Sequence, residues 1–363
     1  MTQLGRRSFF RSILAAQAAA GAAAAQNPPQ PIKPEPPVDF YAQPMRPLRA
    51  AGFYGSDAVD SFDKISHQVT FLGVPFDLGT TARPGARYGP RALRAVAGFG
   101  GLAQQRRWAG FYDYEEGERY LEGVTMADAG DVTIMPADFM PNFDRITDAI
   151  RRILASRSMP VVLGGDHSIT FPVLRAFEGT TEKIHIIHFD SHLDFSDGRG
   201  AVRYAHGNPM RRSIELGSVS GLSSLGVRGF SSNTQAYEQG QKMGVQVIPA
   251  LKMLRMGIPQ AVASIPKAAQ YYISLDVDVI DPSLFTGTGT PVPGGFTYYQ
   301  MKEILQEVAK KGKIAGFEFV EVAPDYEVFQ TSSRMASRLI MDFLAAIFLY
   351  QRHHYPASKP VAG

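Results

Sequence analysis

Three apolar runs in this chain end abruptly in aspartate and histidine. Residues 160–163 (PVVL) lead into Gly164-Gly165-Asp166-His167, and residues 184–189 (IHIIHF) into Asp190-Ser191-His192-Leu193-Asp194. Residues 271–275 (YYISL) lead into Asp276-Val277-Asp278, with Asp281-Pro282 close behind. Runs that stay apolar at nearly every position predict strands covered on both faces, as in a parallel sheet. Such sheets gather their ligands at the carboxyl ends of the strands, where these polar clusters stand.

The rest of the chain fits that frame. Strand-like runs also occur at 69–74, 124–127, 224–227, 245–248 and 314–320. Helical patterns fill most of the intervals, at 90–97, 143–155, 172–177, 210–216, 234–243, 259–264 and 299–310, and a last apolar helix is predicted over 332–351. The alternation predicts a three-layer α/β fold: an eight-stranded, mostly parallel sheet with helices on both faces. A closed eight-stranded barrel is the competing architecture, and periodicity alone does not separate the two. The chain has 363 residues, enough for one large α/β domain with a sizeable core. It has no Cys, which removes disulfides, thiolate nucleophiles and Cys-based metal sites.

The amino terminus reads as an address. Arg6-Arg7-Ser8-Phe9-Phe10 precedes an Ala-rich stretch ending in a small-residue pattern at Ala23–Ala25. This resembles a twin-arginine export signal, which would engage the twin-arginine machinery and deliver the protein to the periplasm or beyond. If the signal is not used, the protein stays in the cytoplasm. The stretch is too short to span a bilayer, so no membrane span is expected. The expected divisions are a signal at 1–25, a Pro-rich linker and extension at 26–60, a catalytic domain at 61–352 and a tail at 353–363. Removing Arg6, Arg7 and Arg11 from the 37 Lys and Arg leaves 34, against 34 Asp and Glu. The remaining chain has no global attraction to nucleic acid.

The chemistry rests on His167, Asp190, His192, Asp194, Asp276 and Asp278. An i, i+2, i+4 spacing places Asp190, His192 and Asp194 on one side of an extended segment, and Asp276 and Asp278 behave likewise. Four carboxylates and two imidazoles at one sheet end repel or desolvate one another without a cation. Two divalent ions balance the four negative charges. Oxygen-rich ligands with two imidazoles suit Mn²⁺ best, with Fe²⁺, Co²⁺, Ni²⁺ or Zn²⁺ as alternatives. A two-metal site acidifies a bridging water and orients an electrophile. His185 and His188 have odd spacing and point to opposite faces, which reads as sheet packing.

The set resembles the ureohydrolase superfamily of arginases and agmatinases. The resemblance rests on GGDHS (164–168), DSHLD (190–194), SLDVDVIDP (274–282), RPGARYGPR (83–91), GTGTPVPGG (287–295) and VEVAPDY (320–326). It implies two Mn²⁺ per subunit: the first on His167, Asp190, Asp194 and Asp276, the second on His192, Asp190, Asp276 and Asp278. It implies a hydroxide between the ions that attacks a guanidinium carbon, with Asp278 managing its proton. Glu321 would bind the guanidinium, Thr290 would help line its pocket and His206 would protonate the leaving amine. A homo-oligomer, trimer or hexamer, is implied as well.

The loop at 195–205 (FSDGRGAVRYA) lacks the polar pattern with which arginases grip an α-amino acid. Arginine is therefore disfavoured, and the resemblance to agmatinases implies agmatine, giving urea and putrescine, as the substrate, with Asp197 accepting its ammonium. Arg199 or Arg203 would suit the carboxylate of guanidinobutyrate or guanidinopropionate instead. A guanidine or formimino hydrolase and a non-catalytic metal-binding sensor are the remaining readings. Asn208, Ser191 and Glu318 stand where relatives frequently carry Thr, Ala and Asp.

Overall fold

The structure, a computed structural model, describes residues 52–97, 110–198, 202–231 and 234–356. The expected signal and the Pro-rich segment lie outside these residues, as does Arg199.

The apolar runs become the strands of one open sheet. In chain order these are β1 (Asp57–Ala58), β2 (Val69–Gly73), β5 (Met126–Asp131), β6 (Met159–Leu163), β7 (Ile184–Phe189), β8 (Val219–Leu225), β9 (Gln246–Ile248), β10 (Gln270–Asp276) and β11 (Ile314–Val320). Their spatial order is β1-β5-β2-β6-β11-β10-β7-β8-β9. Each neighbouring pair is parallel. A closed barrel would leave no free edge, and here β1 and β9 are edges. The expected count of eight becomes nine, because the two-residue β1 pairs Asp57 with Ala127 of β5. A two-residue strand carries no periodic signal. The small antiparallel hairpin β3 (Phe111–Asp113) and β4 (Glu118–Tyr120) was likewise not expected.

Helices cover both faces, as the unbroken apolar strands require. Along β6, Val161 and Leu163 enter one core and Val162 the other, following the two-residue alternation of a strand. On the first face lie α1 (Gly89–Val96), α6 (Ala250–Met256), α7 (Ile258–Ala263), α8 (Tyr298–Ala309) and α9 (Thr331–Gln351). On the second lie α2 (Phe139–Ala155), α3 (Thr170–Arg175) and α4 (Pro209–Ile214). A further helix, α5 (Gln235–Lys242), buries only Gly240. Helix α6 was not expected as an element, although it buries Met253 completely. Helix α8 starts at a capping box, Thr297 with Gln300, which satisfies main-chain donors at its first turn. The side chains of α9 that go under, among them Leu339, Ile340, Phe343, Leu344 and Ile347, each contribute about 1.5–3 kcal/mol. No helix among the described residues is long and apolar enough to cross a membrane.

The consequence for function is geometric. β6, β11, β10 and β7 are consecutive neighbours at the centre of the sheet. The segments leaving their carboxyl ends therefore converge.

Candidate metal centre

At the end of β6 the chain turns at Gly164 and Gly165. A side chain at Gly165 would sit 1.8 Å from the Phe76 carbonyl oxygen, so only glycine fits there. Asp166 then caps the short 3₁₀ turn His167–Ile169 by accepting the Ser168 N–H, and it also accepts from Gly79. This delivers His167, fully buried, to the sheet end.

His167 Nδ1 lies 3.1 Å from Asp190, 3.0 Å from Asp194 and 3.2 Å from Asp276. No contact meets hydrogen-bond geometry, and Nδ1 remains a buried atom without a partner. The other nitrogen explains why. Ser274 Oγ donates to Glu318 at 2.7 Å, so towards His167 Nε2, 2.9 Å away, it accepts. A ring proton is then on Nε2, and Nδ1 faces three carboxylates, which outweigh burial and push the proton affinity of His167 well above its usual range, so a cation bound at Nδ1 would take the place of a second ring proton. That arrangement fits a bound cation.

The second half is contiguous with the first. His192 Nδ1 is 3.0 Å from Asp278 and 3.3 Å from Asp190. Asp276 accepts the Asp278 N–H at 2.8 Å, and Asp278 accepts the Ser191 N–H at 3.0 Å. The six residues singled out from spacing thus form one cluster, with Asp190 common to both halves. Their protonation shows the strain of the gathered charge. Burial first, and then the charges of Asp278 and Asp190, push the Asp276 carboxyl well above its usual range. Burial and Asp190 raise Asp278 as well. Burial opposes the His192 charge, yet Asp190 and Asp278 hold the ring proton up to about 12. Cations in place of those protons relieve the same repulsion.

His188 belongs to this centre too. Its Nε2 is 2.9 Å from Asp190 and its Nδ1 is 3.0 Å from Ser224. The reading as sheet packing is corrected for His188 and stands for His185, which meets Ser223 across the strands at 2.9 Å. The two do point to opposite faces. The missed signal was the i, i+2 relation of His188 to Asp190.

Three further residues close the site. Glu321 follows β11 in a left-handed conformation, φ 63°, and Asp194 is left-handed at φ 47°. Backbone strain of this kind concentrates at functional positions. Glu321 Oε1 accepts the His167 N–H at 2.9 Å and lies 3.0 Å from His206 Nδ1. His206 Nε2 is 2.9 Å from Thr81 Oγ1. Burial disfavours the His206 charge, but Glu321 outweighs it, aided by Asp194 and Asp166, and holds the proton up to about 9. Thr290 Oγ1 lies 3.3 Å from Asp278, so the Gly-rich loop touches the centre directly.

The loop before His206 is latched at its base. Asn208 accepts from the Ala205 N–H and donates to the Ser196 carbonyl at 2.8 Å. Asp197 is not free in it. It pairs with the buried Arg212 and, at 3.3 Å, with Arg203. Glu318 is fully buried and accepts from Ser274, Thr170 and Tyr272.

The chain resembles known proteins over most of its length. The arginase family model matches residues 67–346. The mitochondrial agmatinase of Gallus gallus is 31% identical over 317 residues, covering 86% of this chain and 89% of the relative. The guanidinopropionase of Pseudomonas aeruginosa is 31% identical over 293 residues, covering 78% and 88%. Among solved structures, proclavaminate amidino hydrolase from Streptomyces clavuligerus superposes with a TM-score of 0.73 at 26% identity, covering 83% of this chain and 97% of that one.

Proposed function

The chain belongs to the arginase family, and we propose that it is a binuclear manganese hydrolase splitting a guanidino compound into urea and an amine. The observation that carries the reading is the unpartnered His167 Nδ1 facing three carboxylates, one of which, Asp190, is shared with His192 and Asp278. The first ion falls to His167, Asp190, Asp194 and Asp276, and the second to His192, Asp190, Asp276 and Asp278. Two divalent cations in such a site make water nucleophilic at neutral pH and help orient the electrophile.

The side chains supply the rest. Glu321 pairs with the substrate guanidinium and fixes its carbon over the centre, a proximity effect. The Asp278 carboxylate takes up the proton of the attacking water. His206 carries a proton at its ring nitrogen and gives it to the departing amine nitrogen. In the present structure His206 rests on Glu321, the carboxylate that the guanidinium would occupy. Substrate entry therefore displaces or re-aims the imidazole. Thr290 lines the pocket beside Asp278.

Agmatine is the first candidate substrate, in keeping with the chicken relative. One observation favours a second reading. The Asp197 carboxylate is committed to Arg212 and Arg203, so little of its charge is left for a substrate ammonium. A cationic loop suits the carboxylate of a guanidino acid, the class named by the Pseudomonas relative. The deciding experiment is urea release by Mn²⁺-loaded protein on agmatine, 4-guanidinobutyrate, 3-guanidinopropionate, arginine and guanidine. Preference for agmatine supports the first reading and preference for an acid the second. Silence on the whole panel with Mn²⁺ bound counts against both readings and leaves a substrate outside this set, such as a formimino compound, a different native metal, or a metal-binding protein without turnover. Export through Arg6 and Arg7 and assembly as a trimer or hexamer complete the proposal. Unchanged periplasmic activity after both arginines are replaced by Lys counts against export.

A further inference from the structure

We propose that Arg228 is a positioning residue that clamps the Gly-rich loop 287–295 onto the turn carrying Asp278, and thereby shapes the second half of the metal centre. This rests on the reading of Asp278 as a metal ligand.

The argument starts at the end of β8. The chain turns through Gly226, φ 99°, and the Arg228 N–H donates to the Ser191 carbonyl at 2.9 Å, inside the DSHLD segment. The guanidinium then faces main chain on every side. Its Nη2 donates to the carbonyls of Asp278 at 2.7 Å and Val292 at 3.0 Å, and its Nε to that of Pro293 at 3.2 Å. Longer contacts of 3.3–3.4 Å reach Val279, Gly226 and Ile280. Among the described residues no carboxylate pairs directly with Arg228. Burial dominates and lowers its proton affinity, although Asp278 and Asp190 act at longer range to raise it. An arginine left without an ion pair, spending its whole fork on carbonyls, is acting as a main-chain staple.

What it staples is specific. Asp278 is on one side and Val292–Pro293 on the other. Between them the same loop brings Thr290 to Asp278. The front of the loop is held separately, by Arg83 Nε donating to the Gly289 carbonyl at 3.0 Å. At its rear Gly295, φ 128°, packs so closely that a side chain there would stand 2.7 Å from the Val279 carbonyl oxygen. Thr290 is thus suspended between two arginine anchors, and only the Arg228 anchor also grips the main chain of Asp278. A lysine keeps the charge but offers one nitrogen, which cannot bridge the Asp278 carbonyl and the Pro293 carbonyl in a fixed plane.

The test uses the full chain, with Arg228→Lys and Arg228→Met beside the wild type. Stepwise Mn²⁺ binding is followed by calorimetry and by the spin-coupled Mn²⁺ signal. Hydrogen exchange of residues 287–295 is measured in the metal-free protein. The expected result for Arg228→Lys is first-ion affinity within about threefold of wild type and second-ion affinity about 10- to 100-fold weaker, the usual cost of losing an outer-sphere support. Faster exchange confined to the loop accompanies it, together with a raised KM. If both ions bind as in the wild type and the loop exchanges unchanged, the proposal is overturned. Equal weakening of both ions with a lower melting temperature also overturns it, in favour of a general structural role. Should Arg228→Met fail to fold, the lysine variant decides. If the wild type itself binds no second ion, the binuclear reading fails instead, and the exchange data alone judge the clamp.

Discussion

Ser274→Ala removes one oxygen and should cost the first metal ion most of its advantage. In the native site the Ser274 proton is given to Glu318 at 2.7 Å, which obliges Oγ to accept from His167 Nε2 at 2.9 Å. This pins a proton on Nε2 and leaves Nδ1 as the nitrogen that a cation can take. Without the hydroxyl, Nε2–H becomes a buried donor with no acceptor, worth about 1–3 kcal/mol. The ring then gains by moving its proton to Nδ1, where Asp190, Asp194 and Asp276 wait at 3.0–3.2 Å. A metal ion must now displace that proton. Outer-sphere losses of this kind weaken binding about 10- to 100-fold, or roughly 1.4–2.7 kcal/mol. Glu318 keeps Thr170 and Tyr272 as donors, so its burial stays compensated. The assay is stepwise Mn²⁺ titration, with the second ion as internal reference. First-ion affinity equal to that of the wild type would refute the tautomer argument, as would a loss shared equally by both ions.

Glu321→Gln should lower kcat/KM by at least about 2 kcal/mol, roughly 30-fold, because a buried carboxylate that faces a cation is lost. Steady-state kinetics on the best substrate, with metal content unchanged, provide the check. His206 gives a pH signature in the metal-free protein. Its proton affinity rises from 6.5 unfolded to about 9 folded, so the stability it adds is complete below pH 6.5 and is lost as pH climbs through about 9. Urea unfolding of wild type and His206→Ala should differ most, by up to about 3 kcal/mol, at pH 6 or below, and converge at high pH; a gap that widens with pH contradicts the Glu321 pairing. Asp197→Asn should leave KM for agmatine within twofold, since the carboxylate is already committed to Arg212. A tenfold rise in KM would restore Asp197 as the ammonium acceptor.

These predictions separate what spacing can reveal from what it cannot. The six clustered residues were legible because each follows an apolar strand, and parallel strands that end together bring their successors together. The sheet itself was legible for the same reason: Val161, Val162 and Leu163 can be apolar in succession only if both faces are covered. β1 escaped because two residues have no period, and α6 because its buried face on seven residues is little more than Ala250 and Met253. The supports of the site escaped for a deeper reason. Ser274, two residues before Asp276 on β10, meets Thr170 and Glu318 only because β10 lies beside β11 and α3 packs near them. Arg228 is fixed by carbonyls, which every residue carries, so no residue type elsewhere in the chain marks its partners. Asp197 shows the converse: along the chain it reads as a lone charge in a loop, and its partner Arg212 stands fifteen residues on and buried. Chemistry that depends on side-chain identity at short range can be read along the chain. Chemistry that depends on which groups remain unspent, such as the Nδ1 of His167 facing three carboxylates, requires the fold, because the nitrogen that is left for a cation is decided by the hydrogen bond on the far side of the ring.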